Sequence, residues 1–234
     1  MSVRSNARIG LIVPSSNTVA EVDFYRGLGE EVSVHTARMY LVETTAQGEM
    51  EMLETYLPQA IRDIASLRPD VVAFACTSAG ALIGHEAEHR LIERIADQCG
   101  CPVVSTNDAV GRCIEGYRCR RVGIVTPYVD ELNVRIRDGV VRRGFDVPKL
   151  AGMGLSENFA IAQVSPEEIV SFAVRELENT PMDLLFVSCT NFRGVSARRS
   201  LAESLGVPVV TSNQATLEMT LKALQEMAVL VADD

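Results

Sequence analysis

Two of the six cysteines in this 234-residue chain stand at matching places. Cys76 and Cys189 each close a short apolar run, each is followed by threonine, and they lie 113 residues apart. Two thiols reaching one small molecule from opposite sides suit a reaction that attacks one face and handles a proton on the other. If each stands near a helix N-terminus, free N–H groups and the helix dipole favour the thiolate and lower its pKa below about 8.5. The same N–H groups can hold a substrate carboxylate. The plainer alternative is a pair of strand-end cysteines that pack as small hydrophobes. Cys99, Cys101, Cys113 and Cys119 have no such counterparts and read mostly as buried fillers.

The match extends beyond the thiols. Arg8-Ile-Gly-Leu-Ile-Val-Pro14 corresponds to Arg121-Val-Gly-Ile-Val-Thr-Pro127, and Asp70–Thr77 to Asp183–Thr190, both at an offset of 113. Pro102-Val-Val-Ser-Thr-Asn107 corresponds to Pro208-Val-Val-Thr-Ser-Asn213 at 106, so the first copy carries seven extra residues after its cysteine. Two long copies in the same block order are a duplication, not a solenoid. The expected division is a first half, residues 1–106 plus 213–234, carrying Cys76, and a second half, residues 107–212, carrying Cys189.

The elements that must position the thiols follow from hydrophobic patterning. β-rich runs lie at Ile9–Val13, Val32–Thr36, Val71–Ala75, Val103–Ser105, Val122–Thr126, Leu184–Ser188 and Val207–Thr211. They are near-continuous apolar runs, as in a parallel sheet covered on both faces. Helical patterns lie between them at Met52–Ser66, Leu82–Asp97, Asp130–Arg143, Pro166–Glu178 and Ala197–Leu205. The alternation predicts α/β architecture: two similar doubly wound halves related by pseudo-twofold symmetry. Ligands of such folds bind off the carboxyl ends of the strands, where both cysteines fall. A C-terminal helix, Gln214 to Val231, is expected to cross back onto the first half.

Composition narrows the function. Lys plus Arg is 22 against 31 Asp plus Glu, a formal net charge of −9, which argues against nucleic acid or an anionic membrane as partner. No apolar run is long enough to span a bilayer. Met1–Arg8 is polar and basic, and Ile9–Val13 is too short for a signal peptide, so the expected location is cytoplasmic and the thiols are expected to be reduced.

The paired Cys-Thr blocks, the Val13-Pro-Ser-Ser-Asn-Thr18 loop and the two Pro-Val-Val-x-x-Asn segments resemble the Asp/Glu racemase superfamily. Within it the chain is most similar to the branch of maleate cis–trans isomerase and arylmalonate decarboxylase, over nearly its whole length. The resemblance implies a small carboxylate or dicarboxylate substrate, no organic cofactor, no metal, and a homodimer or higher homo-oligomer. It implies that Cys76 adds as a thiolate to the double bond of a cis-dicarboxylate, that the adduct rotates about the new single bond, and that Cys189 is the proton donor or acceptor. Asn17, Tyr128 and Asn158 match the family's ligand-binding asparagines and tyrosine, Asn158 in the weaker-matching loop. Asn17 and Ser15 are also good caps for a helix beginning near Thr18. Thr77, Thr190 and Asn191 depart from the apolar residues that follow the cysteines in maleate isomerases, and add donors and acceptors around a substrate. That leaves open an amino-acid racemase, in which one thiolate takes an α-proton and the other thiol returns it. It also resembles the racemase-like protein of ectoine utilisation. Arylmalonate decarboxylases lack the first cysteine, so Cys76 counts against decarboxylation.

Other signals are weaker. His85-Glu86-Ala87-Glu88-His89 fits a zinc-protease pattern, but the remaining histidine, His35, is on a strand of the first half, and the pair falls near the border of a buried helix face. Gly152-Met-Gly154 opens no helix and is no dinucleotide fingerprint. Asn107 and Asn213 read as caps or turns. The acidic run Glu49–Glu54 reads as the solvated start of a helix. A cofactor-independent isomerase or racemase, a zinc hydrolase and a non-catalytic cleft binder therefore stand side by side. The first, with maleate as substrate, is preferred.

Overall fold

An apolar run with no polar side cannot be a surface strand, and these runs form the buried centres of two sheets. The computed structural model describes residues 6–232, with side chains through 227. The basic N-terminal stretch as far as Ser5, and the last two residues, lie outside the described residues. Strands β1 (Ala7–Pro14), β2 (Val32–Met39), β3 (Val71–Phe74) and β4 (Val103–Ser105) form a parallel sheet in the order β2-β1-β3-β4. Strands β5 (Val122–Tyr128), β6 (Leu150–Leu155), β7 (Leu184–Val187) and β8 (Val209–Thr211) form the other in the order β6-β5-β7-β8. The orders correspond strand for strand, and β3 and β7 are buried at every position. The chain is thus a two-half α/β fold, as the repeat predicts.

Helices α1 (Ala20–Gly27), α2 (Ala46–Glu51), α3 (Leu57–Ser66), α4 (Thr77–Ile83), α5 (His85–Cys99) and α6 (Thr106–Glu115) accompany the first four strands. Helices α7 (Asp130–Arg142), α8 (Asn158–Gln163), α9 (Pro166–Leu177), α10 (Gly194–Leu205) and α11 (Ser212–Ala232) accompany the rest.

Three local differences from the sequence reading have clear causes. Strand β6 has two glycines and no continuous apolar run, so nothing marked it; it is half-buried and pairs with β5 alone. The helix expected over Leu82–Asp97 is two helices, parted at Gly84, whose φ of +78° favours glycine. This is where the seven extra residues go, since after Cys189 there is a short turn and one helix, α10. Finally, α2 runs into a π-helical turn, Met52–Tyr56, before α3, which shifts the phase of the buried face within what the pattern makes one helix.

The helices after β4 and β8 pack across the twofold. On α6, Ala109, Val110 and Ile114 join the apolar cluster of Val122, Ile124 and Leu185 on the second sheet. On α11, Leu217, Leu221 and Leu224 join Ala7, Ile9, Leu11 and Ala73 on the first. The two helices also meet each other, where the buried Thr216 hydroxyl donates to Thr106 Oγ1 at 3.0 Å. Each sheet reverses its strand order beside its first strand, which opens a crevice at the carboxyl ends. The segments after β1 and β3 meet the segment after β7 there, where Thr190 Oγ1 accepts from Asn17 and donates to Ala75 O. Among the described residues no helix is long and apolar enough to cross a membrane.

Candidate active site

Each central strand delivers one residue to the crevice: Asn17 just past β1, Cys76 past β3, Tyr128 at the end of β5 and Cys189 past β7. All four are buried: Asn17 1% exposed, Cys76 2%, Tyr128 1% and Cys189 6%. The thiols lie close enough that the charge of Cys189 raises the pKa of Cys76, and Tyr128 responds to both. The sequence-predicted pair therefore shares one site.

The two thiols have different neighbours. Cys76 is the N-cap of the seven-residue α4 in ordinary extended conformation, φ −142°. Its Sγ donates to Glu49 Oε2 at 3.5 Å and lies 3.7 Å from Ser78 Oγ, whose hydroxyl donates to Glu49 Oε1. Cys189 is held at φ +106°, a region that disfavours any residue with a Cβ. It does not stand at a helix N-terminus as expected, because the turn Thr190–Arg193 separates it from α10. That turn folds back so that Asn191 N–H donates to Cys189 Sγ at 3.3 Å, joined by Phe192 N–H and the Tyr128 hydroxyl. A β-bulge between Thr126 and Tyr128 aims the tyrosine inward. Asn133 fixes that bulge, donating to Tyr128 O at 3.1 Å and bonding Thr126 Oγ1.

Neither thiol has the lowered pKa expected from the sequence. Burial pushes Cys189 up to about 12 despite its three donors, and raises Cys76 well above the ordinary thiol value, with the Glu49 charge adding to the effect. Loss of water outweighs a few N–H dipoles when the sulfur is enclosed. Deprotonating either thiol therefore needs a nearby group to take the proton.

Glu49 is the largest departure. The acidic run around it reads as solvated, and Glu51 and Glu54 are exposed, but Glu49 is 0% exposed. Burial pushes its pKa to about 7, against the lowering effect of Ser78 and Cys76. Thr45 caps α2 through Gly48 N–H at 3.2 Å, and Gly48 packs so tightly that a Cβ there would lie 2.5 Å from Glu43 O. The sequence did carry a signal for Glu49. It falls three and four residues before Met52 and Leu53, on the buried side of the helical repeat.

The remaining predicted residues knit the crevice together. Asn17 Oδ1 caps α1 by accepting Val19 and Ala20 N–H at 3.0 Å each, while its Nδ2 donates to Thr190 Oγ1 at 3.0 Å. Thr190 in turn donates to Ala75 O at 3.0 Å, and Thr77 to Ser212 Oγ at 3.1 Å. Asn191 Oδ1 accepts Thr18 N–H at 2.9 Å, and its Nδ2 donates to Asn158 O at 2.6 Å. Asn158 Nδ2 donates to Ser16 Oγ at 2.8 Å. Ser15 is the outlier: its hydroxyl bonds Leu41, accepting N–H at 3.0 Å, on the segment leading to α2. That segment is tied to both halves, since Asn158 N–H donates to Val42 O at 2.9 Å and Thr44 N–H to Ser156 O at 2.7 Å.

Behind each cysteine is a brace that the sequence pattern read only as caps. Asn107 Nδ2 donates to Thr77 O at 3.2 Å and Glu88 Oε1 at 3.2 Å; Asn213 Nδ2 donates to Thr190 O at 2.9 Å and Asp23 Oδ2 at 2.7 Å. Arg38, also unmarked, holds the Asn17 loop through Ser15 O at 3.0 Å and Asn17 O at 2.8 Å.

The competing motifs fall away from the crevice. His85, Glu86 and His89 are exposed rather than at a buried border, and among the described residues no three His, Cys, Asp or Glu could hold a metal. All six cysteines are free, but only Cys113 of the four unmatched ones is buried. A cavity of about 770 Å³ between α4, α5, α6 and α7, lined by Glu88, Asn107 and Arg143 among others, does not include the thiols.

The sequence profile described as arylmalonate decarboxylase matches residues 9–229. A maleate isomerase of Nocardia farcinica is 26% identical over 227 residues, 93% of this chain and 90% of that protein. An arylmalonate decarboxylase of Bordetella bronchiseptica is 26% identical over 216 residues, 92% of this chain and 89% of that one. The solved structure of Nocardia farcinica maleate cis–trans isomerase bound to TRIS superposes with a TM-score of 0.86 at 25% identity, covering 94% of this chain and 92% of that one. A profile spanning nearly the whole chain and relatives aligned end to end leave one conclusion: the chain belongs to the arylmalonate decarboxylase family, in the maleate isomerase and arylmalonate decarboxylase branch of the Asp/Glu racemase superfamily.

Proposed function

We propose that this protein is a cofactor-independent cis–trans isomerase of a small unsaturated dicarboxylate, converting maleate to fumarate. One observation carries the reading: two buried thiols share one enclosed site, one beside a proton acceptor and the other surrounded by donors. The curated relatives named maleate isomerase, about a quarter identical over 93% of the chain, support the choice of substrate.

In this reading the Cys76 sulfur adds to one alkene carbon. The π pair moves to the neighbouring carbon, which takes the proton of the Cys189 thiol. Tyr128 O–H and the Asn191 and Phe192 N–H groups then stabilise the Cys189 thiolate. Rotation about the new single bond turns one carboxylate. Cys189 recovers the proton, the C–S bond breaks, and the trans product remains. Asn17, Asn158, Thr77, Thr190 and Asn191, with Tyr128, form the polar wall around the carboxylates, and Ser15 acts at its edge by anchoring the segment over the site. The halves divide at residues 1–106 plus 213–234 and 107–212, and the protein works in the cytoplasm as a homodimer; the family resemblance supports these points.

The test is a proton NMR time course of the purified protein with maleate and, separately, with a panel of L-amino acids in D₂O. Fumarate forming only when Cys76 and Cys189 are both intact is the expected result. Deuterium entering an amino-acid α-carbon without any fumarate overturns the isomerase reading in favour of racemisation.

A further inference from the structure

The Cys76 thiol has to lose a proton before or while its sulfur bonds to carbon, and the fold places a carboxyl beside it that can accept one. We propose that Glu49 is the general base of the reaction: its carboxylate, 3.5 Å from Cys76 Sγ, takes the thiol proton as the sulfur attacks, and returns it when the product leaves. This rests on the isomerase reading of the same site.

The geometry is a closed triangle. Cys76 Sγ donates to one carboxyl oxygen of Glu49, while the Ser78 hydroxyl holds the other oxygen and stands 3.7 Å from the same sulfur. Glu49 is aimed into this triangle by a built element. Thr45 caps its helix, Gly48 lets the turn close against Glu43 O, and a π-helical turn begins three residues after Glu49, at Met52, a distortion often found at functional sites. The carboxyl is fully buried, with Ser78 and Cys76 as its side-chain partners. No cation is among the groups that act on it, which are burial itself, Ser78 and Cys76.

The titratable groups facing Glu49 are Cys76, ahead of the adjoining α4, with Cys189 and Tyr128 across the crevice at the ends of β7 and β5; each responds to the Glu49 charge. A carboxyl titrating near 7 is suited to this work, being partly ionised at neutral pH while remaining basic enough to accept a proton. The step balances. The S–H bond of Cys76 breaks as an O–H bond forms on Glu49, the sulfur pair forms the C–S bond, and the alkene π pair is captured by the Cys189 proton. On release the Glu49 proton returns to sulfur. Glu49 is also neutral while the adduct exists, so no buried carboxylate opposes the two carboxylates of the bound intermediate.

The experiment compares wild type, Glu49→Gln and Glu49→Asp in two assays across pH 5 to 9. The first is kcat/KM for maleate isomerisation. Wild type is expected to rise through about pH 7 and level off. Glu49→Gln, nearly isosteric and still able to bond Ser78, is expected to lose that step and fall about 100-fold on the plateau. Glu49→Asp is expected to keep the step at a reduced rate. The second assay needs no substrate: alkylation of Cys76 by iodoacetamide, followed by mass spectrometry in the Cys189→Ala background. The carboxylate is expected to accelerate it near neutral pH, with Glu49→Gln slowed. A purely electrostatic Glu49 predicts the opposite sign, because removing its charge eases ionisation of Cys76. Alkylation of Glu49→Gln as fast as the parent, to within about threefold, or faster, overturns the proposal. A wild type that isomerises no maleate at any pH, yet shows the Glu49-dependent alkylation step, overturns the substrate and keeps the base.

Discussion

The Cys76 and Cys189 neighbourhoods descend from the same repeated block, and the comparison shows how one framework makes two unlike thiols. Both follow a fully buried central strand, both precede threonine, and both have that threonine's carbonyl braced by an asparagine from the next repeated block. There the likeness stops. The first half inserts seven residues, which become α4 and place Cys76 in relaxed backbone against Glu49 and Ser78. The second half has no such helix, and its tighter turn holds Cys189 at φ +106° with Asn191, Phe192 and Tyr128 donating to the sulfur. Cys76 has a carboxyl beside it to take its proton as well as the Ala79 N–H at its sulfur, whereas the groups hydrogen-bonded to the Cys189 sulfur are donors. Symmetry sets the positions of the pair, and the loop that follows each member sets its chemistry.

The strongest way to break the comparison is to remove either sulfur. Cys76→Ala and Cys189→Ala are each expected to lower turnover of maleate by about 1,000-fold or more. The two losses should differ in kind. Cys189→Ala should still gain, more slowly, the mass of one maleic acid on Cys76 by mass spectrometry, with water supplying the proton that Cys189 no longer gives, and Cys76→Ala should gain none. An adduct on Cys189 instead would invert the assignment of roles.

Removing a donor from one side only sharpens the contrast. Tyr128→Phe takes a hydroxyl from the Cys189 sulfur and is expected to lower kcat about 100-fold with a smaller change in KM. Unchanged kcat would mean that the Asn191 and Phe192 amides suffice.

The braces supply a test of stability. Glu88, behind the first thiol, has its pKa pushed to about 7 by burial, and Asp23, behind the second, is also raised. A folded-state pKa above the unfolded value means that the folded form holds the proton more tightly. The stabilisation is complete below about pH 4.5 and is lost as pH rises through about 7. Glu88→Gln should therefore gain on wild type between pH 5 and 8, by up to about 3 kcal/mol in urea titrations. Asp23→Asn should gain in the same direction as pH rises above about 4, the ordinary value from which burial raises Asp23. A variant that loses ground as pH rises would contradict the buried, protonated carboxyl.

The smallest effect isolates the backbone. At Cys189, replacement by Gly should leave the protein more stable than replacement by Ala, by about 1 kcal/mol, because glycine relieves the positive φ. At Cys76 the order should reverse by about 0.5–1 kcal/mol, since φ there is −142° and glycine only adds freedom to the unfolded chain. Thermal unfolding of the four variants decides it.

Much of this arrangement was legible in the sequence, for reasons that differ from residue to residue. Continuous apolar runs revealed the central strands, because burial on both faces leaves no other pattern, while β6, glycine-rich and half-buried, left no trace. The paired cysteines were visible because the repeat marks them. Tyr128 and Asn17 were visible through resemblance, and their reach into the crevice depends on a bulge and a helix cap that short-range patterns do not specify. Glu49 was misread because its two acidic neighbours are exposed, although its phase against Met52 and Leu53 pointed inward. The unlike environments of the thiols were not legible, because they arise from segments far apart in sequence, 41–49 against one and 126–133 against the other.

The exchange of α6 and α11 across the twofold also shapes how the protein comes into being. β1 and β3 are among the first strands made, yet the face formed by Ala7, Ile9, Leu11 and Ala73 is covered by Leu217, Leu221 and Leu224, which leave the ribosome long afterwards. A nascent first half thus carries an uncovered apolar sheet face through most of synthesis, open to aggregation or chaperone capture. Native pairing across so wide a sequence separation closes slowly. Truncation within α11 should accordingly lower the yield of folded protein well before it touches any residue of the crevice.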